Sequence, residues 1–333
     1  MITAVAPGRV NLIGDHTDYT GGLVLPFAID LATVIEGVRG GSTINLRSRE
    51  LDGSVNVSLP ARHDENITPP WGRYVSAVAS LVQPSEGFVG SIHSDIPLGG
   101  GLSSSAALEV AVALALGADL DPLRLAEMCR SAEHLATGVP TGIMDQLCIA
   151  SAREGHATLI DCHTKVITHV PISDEVDVVV RFVAQRTLEG SEYSERVAEC
   201  TRAESEIGPL RQATEDDVAR LSDEIVRKRA RHVVTENARV TSFAAALQRG
   251  DWTSAGASMT SSHRSLTDDY GVSTPQMDEA VQETLAIPGV FGSRMTGGGF
   301  GGCIVTLCRP EADVPGWRVK PSAGARVSHD ASK

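Results

Sequence analysis

The stretch Pro97-Leu98-Gly99-Gly100-Gly101-Leu102-Ser103-Ser104-Ser105-Ala106-Ala107-Leu108-Glu109 reads as a glycine turn that runs straight into a helix. Gly99, Gly100 and Gly101 let the backbone come close to another group. The Ala- and Leu-rich run from Ser103 to Leu116 is almost uncharged and reads as a buried helix. The start of a helix presents free amide N–H groups and the positive end of its dipole, so Gly99–Ala106 is a candidate anion site. An ordinary serine cap after a turn would need one serine, whereas Ser103, Ser104 and Ser105 follow three glycines. The stretch is not the Gly-x-x-x-x-Gly-Lys-Ser/Thr phosphate loop. The chain also lacks the His-Arg-Asp and Asp-Phe-Gly signatures of protein kinases.

Working outward, residues 1–58 are rich in β-branched residues, with strands expected over Ile29–Val38 and Ser42–Arg49. A helix is expected over Pro122–His134 and strands over Ala157–Asp161, Val166–Val170 and Val176–Val183. Charged helices follow over Ser191–Glu206 and Glu215–Arg249, then Pro275–Leu285. Gly289–Met295, Cys303–Leu307 and Trp317–Lys320 supply late strands. Strands and helices that do not alternate strictly point to an α+β fold. Composition changes from Gly-rich motifs to charged helices near residue 170, so two domains are expected, 1–168 and 169–333.

Three further segments carry chemistry. In Gly8-Arg9-Val10-Asn11-Leu12-Ile13-Gly14-Asp15-His16-Thr17-Asp18-Tyr19, apolar residues anchor a strand, and two carboxylates and an imidazole follow within four positions. Carboxylates accept from paired sugar hydroxyls, and histidine can donate or accept. Arg9 offers a fixed fork of donors for phosphate oxygens or a catalytic carboxylate. In Gly142-Ile143-Met144-Asp145-Gln146, a carboxylate sits among small and apolar residues, as a helix cap or a functional group. Glu133 is a possible second carboxylate for a metal. The run Arg294-Met295-Thr296-Gly297-Gly298-Gly299-Phe300-Gly301-Gly302-Cys303 formally holds G-x-G-x-x-G, but a strand-like run follows where a dinucleotide site needs a helix. Its glycines instead suit close packing against the phosphate loop.

The balance of charge is −13, which argues against a general nucleic-acid binder. No apolar run approaches the ~20 residues of a membrane span, and Met1–Val10 has no basic stretch before an apolar core. The six scattered cysteines, with no Cys-x-x-Cys, read as reduced thiols. The expectation is a cytoplasmic protein, monomeric or a weak homo-oligomer, with small-molecule ligands and neither nucleic acid nor membrane as partner.

Taken in this order, the segments resemble the GHMP small-molecule kinases, and within them the galactokinase family. The Gly8–Tyr19 stretch is similar to that family's signature, Pro97–Ala107 to its phosphate loop and Met295–Cys303 to its C-terminal glycine motif. Gly142–Gln146, Ser262–Tyr270 and Pro321–Arg326 also look like its segments. The resemblance implies an N-terminal ribosomal-S5-like domain, a C-terminal ferredoxin-like domain and ATP in the cleft between them. It implies transfer of the ATP γ-phosphoryl to the anomeric hydroxyl of galactose, with Mg2+. It makes Asp145 and Arg9 catalytic, and Asp15, His16, Asp18, Gly142 and Tyr193 sugar-contacting. Gly99, Gly100, Gly101, Leu102, Ser103, Ser104, Ser105 and Ala106 would hold phosphates, with Ser105 and Glu133 near the metal. The family usually carries Glu where this chain has Asp15, so another hexose, such as N-acetylgalactosamine, is the alternative acceptor. A catalytically idle sugar and ATP sensor is the alternative of another class.

Overall fold

The computed structural model describes residues 1–97, 99–185 and 191–329. The chain opens with β1 (Ile2–Asn11), β2 (Leu23–Val24), β3 (Pro26–Arg39), β4 (Thr43–Ser48) and β5 (Ser54–Ser58). Helix α1 (Gly72–Val82) and strand β6 (Phe88–Ser94) come next, then α2 (Ser104–Leu116), α3 (Pro122–Thr137) and α4 (Met144–Ser151). Strands β7 (His156–Asp161), β8 (Ile167–Pro171) and β9 (Asp177–Ala184) lead into α5 (Ser191–Ile207), α6 (Glu215–Ala219), α7 (Glu224–Arg249) and α8 (Trp252–Ser265). A π-helical turn (Leu266–Tyr270) and α9 (Pro275–Leu285) precede β10 (Val290–Thr296), β11 (Gly302–Cys308), β12 (Trp317–Val319) and β13 (Arg326–His329).

Three sheets result. The six-stranded sheet has the order β13-β1-β3-β6-β4-β5, antiparallel except where β4 runs alongside β6. A four-stranded antiparallel sheet has the order β10-β11-β9-β12, and β2-β7-β8 form a small third one. Helices α1 to α4 pack together, with α2 and α4 on β1 and β3. Helices α8 and α9 pack on β10. One apolar core joins both halves: Leu12, Phe27, Phe88 and Val110 share it with Phe243, Met259 and Val305. The α+β architecture expected from the sequence is the one observed.

Where expectation and structure differ, the causes are local. The helix expected over Glu215–Arg249 is two helices, because Asp223 starts a new one: its carboxylate accepts from the Ile225 and Val226 N–H groups. Helix α8 went unread because serines, threonines and Gly256 weaken its helical signal. Its glycine is a packing device, since a Cβ there would lie 2.0 Å from Phe291 O on β10. Helix α1 has no side-chain cap at its start, although Val75, Val78 and Val82 recur at helical spacing, and β13 is exposed throughout and carries no strong pattern. Strand β13 pairs with Ile2–Val5 and covers the free edge of β1. The last strand therefore belongs to the first sheet. A division at 168/169 remains a proposal, with the tail after β12 returning across it.

Candidate active site

The register of β1 against β3 shifts between Pro7 and Arg9. Such a bulge re-aims the side chain beside it. Gly8 permits the approach behind it, because a Cβ there would meet Leu102 O at 2.8 Å. The redirected Arg9 guanidinium grips Asp145 with two parallel bonds, Nε to Oδ1 and Nη2 to Oδ2, both 2.7 Å. Its third arm, Nη1, donates to Gly101 O at 2.7 Å. Burial works against charge on Arg9, but the Asp145 carboxylate outweighs it and raises the guanidinium above its usual pKa. Asp145 lies in the first turn of α4, facing the cavity, and does not cap the helix. Ser103 does not cap α2 either: its backbone is left-handed (φ 59°) and its hydroxyl donates to Asp145 Oδ2.

Behind this pair lies a second polar group. Ser105 Oγ donates to Glu133 Oε1 at 3.2 Å, and Thr141 Oγ1 to Glu133 Oε2 at 2.8 Å. The Gln146 amide nitrogen bridges Glu133 Oε2 and Glu109 Oε2, each at 3.0 Å. Burial and then the charge of Glu133 push the Glu109 carboxyl well above the usual range. Glu133 is raised too, by burial and then by Asp145.

The opposite wall comes from the Gly14–Thr20 segment and its packing partners. His16, with left-handed backbone (φ 65°), places its Nδ1 2.9 Å from the Tyr19 hydroxyl, which lies 2.5 Å from that of Tyr270. The Tyr193 ring stands 5.6 Å from His16 and 5.5 Å from Tyr19. Asp18 presses so closely on Gly142 that a Cβ there would lie 1.7 Å from Asp18 Oδ2. Burial first, and then the charge of Asp145, lift the Asp18 carboxyl to about 7. Asp15 pairs with the buried Arg294 at 2.6 Å and accepts from the Gly297 N–H at 3.1 Å.

These groups line one cavity of about 420 Å³. Residues 2–38 match the family model "Galactokinase galactose-binding signature", 73–153 "GHMP kinases N terminal domain" and 243–315 "GHMP kinases C terminal". The galactokinase of Homo sapiens is 43% identical over 328 residues, covering 92% of this chain and 83% of that protein. The chain belongs to the galactokinase family. It is a sugar kinase with the two-domain GHMP fold. A crystal structure of Lactococcus lactis galactokinase complexed with galactose superposes with a TM-score of 0.89 at 29% identity, covering 98% of this chain and 95% of that one. Methanococcus jannaschii mevalonate kinase, at 22% identity and a TM-score of 0.67 over 97% and 98% of the two chains, shares the fold alone.

In this galactokinase-family chain, Arg9, Asp15, His16, Asp18, Gly99, Gly101, Ser103, Ser104, Ser105, Glu133, Gly142, Asp145 and Tyr193 all reach the cavity wall. Gly100, Leu102 and Ala106 are buried behind it. A Cβ on Gly100 would sit 3.5 Å from Cys303 Sγ, so the two glycine-rich loops do meet. The Rossmann reading stays excluded, since β11 follows the second loop. Tyr74, Thr137 and Val139 also line the cavity and escaped sequence reading, because one aromatic on an amphipathic helix carries no distinguishing signal. Phe300 lines it as well, with a left-handed backbone (φ 59°) and its N–H donated to Val272 O at 2.7 Å. Residues 186–190, just before Tyr193, lie outside the described residues.

Proposed function

We propose that this chain transfers the γ-phosphoryl group of ATP to the anomeric hydroxyl of galactose, giving galactose 1-phosphate and ADP. The observation that carries the reading is the doubly bonded Arg9–Asp145 pair, set between a glycine-rich helix N-terminus and a wall of sugar-matching polar groups. Phosphoryl transfer has a loose transition state, so positioning and charge neutralisation do most of the work. The Gly99–Ser105 turn and the start of α2 supply amide donors for the phosphates. Asp145 orients the sugar O1–H and takes its proton as the O1–P bond forms and the bond to the β-phosphate oxygen breaks. Arg9 and Ser103 fix the Asp145 carboxylate, and Arg9 offsets charge on the moving phosphoryl group. Asp15, His16, Asp18, Gly142 and Tyr193 form the sugar wall.

The hard oxygens of Ser105 and Glu133 stand together at the cavity wall and suit a magnesium ion. Among the described residues no group of three or more His, Cys, Asp and Glu side chains could hold a metal ion, so phosphate oxygens and water would complete its shell. Bound with ATP, magnesium would neutralise charge on the phosphate oxygens.

No described helix is long and apolar enough to cross a membrane. We take the chain to act in the cytoplasm on small molecules, as a monomer or weak homo-oligomer. A coupled assay of ADP release tests the reaction with galactose, glucose, N-acetylgalactosamine, talose, mevalonate and homoserine as acceptors. Galactose should turn over, and Asp145→Ala should lower kcat by roughly 10²- to 10⁴-fold. Turnover of another sugar alone would move the acceptor. ATP binding without turnover of any would support the idle sensor.

A further inference from the structure

Gln146 follows Asp145 in the first turn of α4, about 100° further round the helix. Asp145 faces the cavity, whereas Gln146 is fully buried behind its wall. The Gln146 amide nitrogen carries two hydrogens and meets two acids, Glu133 Oε2 on α3 and Glu109 Oε2 on α2, each at 3.0 Å. Glu109 is fully buried as well. Gln146 Oε1 and Glu109 Oε1 have no hydrogen-bond partner among the described residues. An unpaired buried oxygen is costly, so stability alone does not account for an amide and an acid placed here. Of the three side chains, Glu133 is the one at the cavity wall. Its Oε2 also accepts from Thr141 Oγ1 at 2.8 Å, and its Oε1 accepts from Ser105 Oγ at 3.2 Å. Two donors thus fix Oε2, and Oε1 is left beside Ser105, which lines the cavity too.

The choice of an amide matters chemically. A lysine or arginine between the two acids would join them by cancelling the charge that a divalent cation seeks on Glu133. The glutamine joins them and brings no charge of its own. It gives the Glu133 carboxylate a fixed direction and leaves it able to meet a metal. Glu109 is the far anchor of this bridge, four residues after Ser105 and on the same face of α2. Groups that hold a metal ligand from behind in this way govern how well the metal binds.

We propose that Gln146 is a positioning residue for the metal: anchored on Glu109, its amide aims the Glu133 carboxylate at the magnesium ion that accompanies ATP. Gln146 and Asp145 share one helical turn. The same rigid element therefore sets the acid that meets the sugar hydroxyl and the acid that meets the metal. The proposal rests on the magnesium reading of Ser105 and Glu133 above.

The test uses the full chain as wild type, Gln146→Met, Gln146→Asn, Glu109→Gln and Glu109→Leu. Calorimetry measures binding of a non-hydrolysable ATP analogue, without sugar, once in saturating Mg2+ and once in EDTA. By linkage, the ratio of the two affinities reports how tightly the enzyme-bound nucleotide holds the metal. Gln146→Met fills the same space without donors, and its ratio should fall about tenfold or more below wild type. Its affinity in EDTA should stay within about twofold. Gln146→Asn is one methylene short of spanning both acids and should show the same fall, which keeps the test open if the methionine variant does not fold. Glu109→Gln keeps an oxygen for the amide and should hold the ratio within about twofold, whereas Glu109→Leu should lower it. Equal losses in Mg2+ and EDTA would make Gln146 a support of α4 alone and overturn the proposal, as would an unchanged ratio in both Gln146 variants. A fall as large in Glu109→Gln as in Glu109→Leu would remove Glu109 as the anchor. No sugar enters these measurements, so a lowered ratio in a chain that does not turn over galactose removes the galactose reading and leaves the bridge standing.

Discussion

Two acids near the site, one buried and one half-buried, behave in ways their type does not suggest. Burial and the nearby Glu133 push the Glu109 carboxyl well above its usual range, and one of its oxygens accepts from Gln146. A neutral amide of the same shape should replace it well. We expect Glu109→Gln to unfold at a urea midpoint no lower than wild type, while Glu109→Ala leaves a cavity and an unpaired amide, costing about 2–4 kcal/mol. Equal losses in the two variants would mean that Glu109 is ionised. Asp18 differs, since it faces the open cavity with its carboxyl lifted to about 7. Between about pH 4 and 7 the native chain keeps a proton on Asp18 that the unfolded chain has released, so this residue lowers stability as pH rises through that window. Asp18→Asn cannot ionise. Its Tm should climb relative to wild type from pH 4 to 7 and then level off, a gain on the order of 1–2 kcal/mol once water in the cavity is allowed for. Parallel Tm curves would remove the shift. The residue types at the site were legible in the sequence, because several polar groups crowded among glycines are hard to explain as ordinary turns. Their partners were not: nothing in the spacing ties Ser103 to Asp145, a pairing that depends on a left-handed residue at the start of α2.

Among the elements, the decisive contacts are between backbones and loops, and glycine marks them. Gly142 precedes α4 and lies under Asp18, with no room for a methyl group. Its φ is not in the left-handed range, so alanine there is excluded by space alone. Gly142→Ala should force Asp18 aside and raise the sugar KM more than about tenfold, with the KM for ATP nearly unchanged. Equal loss for both substrates would show a general disturbance of α4. Elements with a strong local signal were legible: α2 by its uniform Ala and Leu content, and α3, α9 and the strands β7 to β9 by their patterns, lie where the sequence placed them. Elements defined by what they touch were not. Helix α8 depends on Gly256 against β10, and β13 depends on an edge that β1 leaves open.

At the scale of the molecule, the return of the tail is the feature that sequence reading could not supply. Ser322 donates its N–H to Ala28 O and its hydroxyl to Ile29 O, and Gly324 and Ala325 donate to Ala152 O and Ile149 O. The chain then pairs as β13 with β1, the strand that ends in Arg9 and Asn11. Ending the chain after Ala325 should cost roughly 1–2 kcal/mol, from several exposed strand bonds worth little each. Urea unfolding of the shortened chain checks this, and no change in midpoint would mean the edge needs no cover.

Ile2 faces His329 directly across that pair, so the first strand meets its outer neighbour only when the chain has been made through His329. A ribosome makes the chain from the other end. During synthesis the strand that bears Arg9 must wait, with one edge open, while everything between is made. The finished sheet is therefore a late event in the life of each molecule, and an unfinished chain lacks the cover on the strand that carries Arg9.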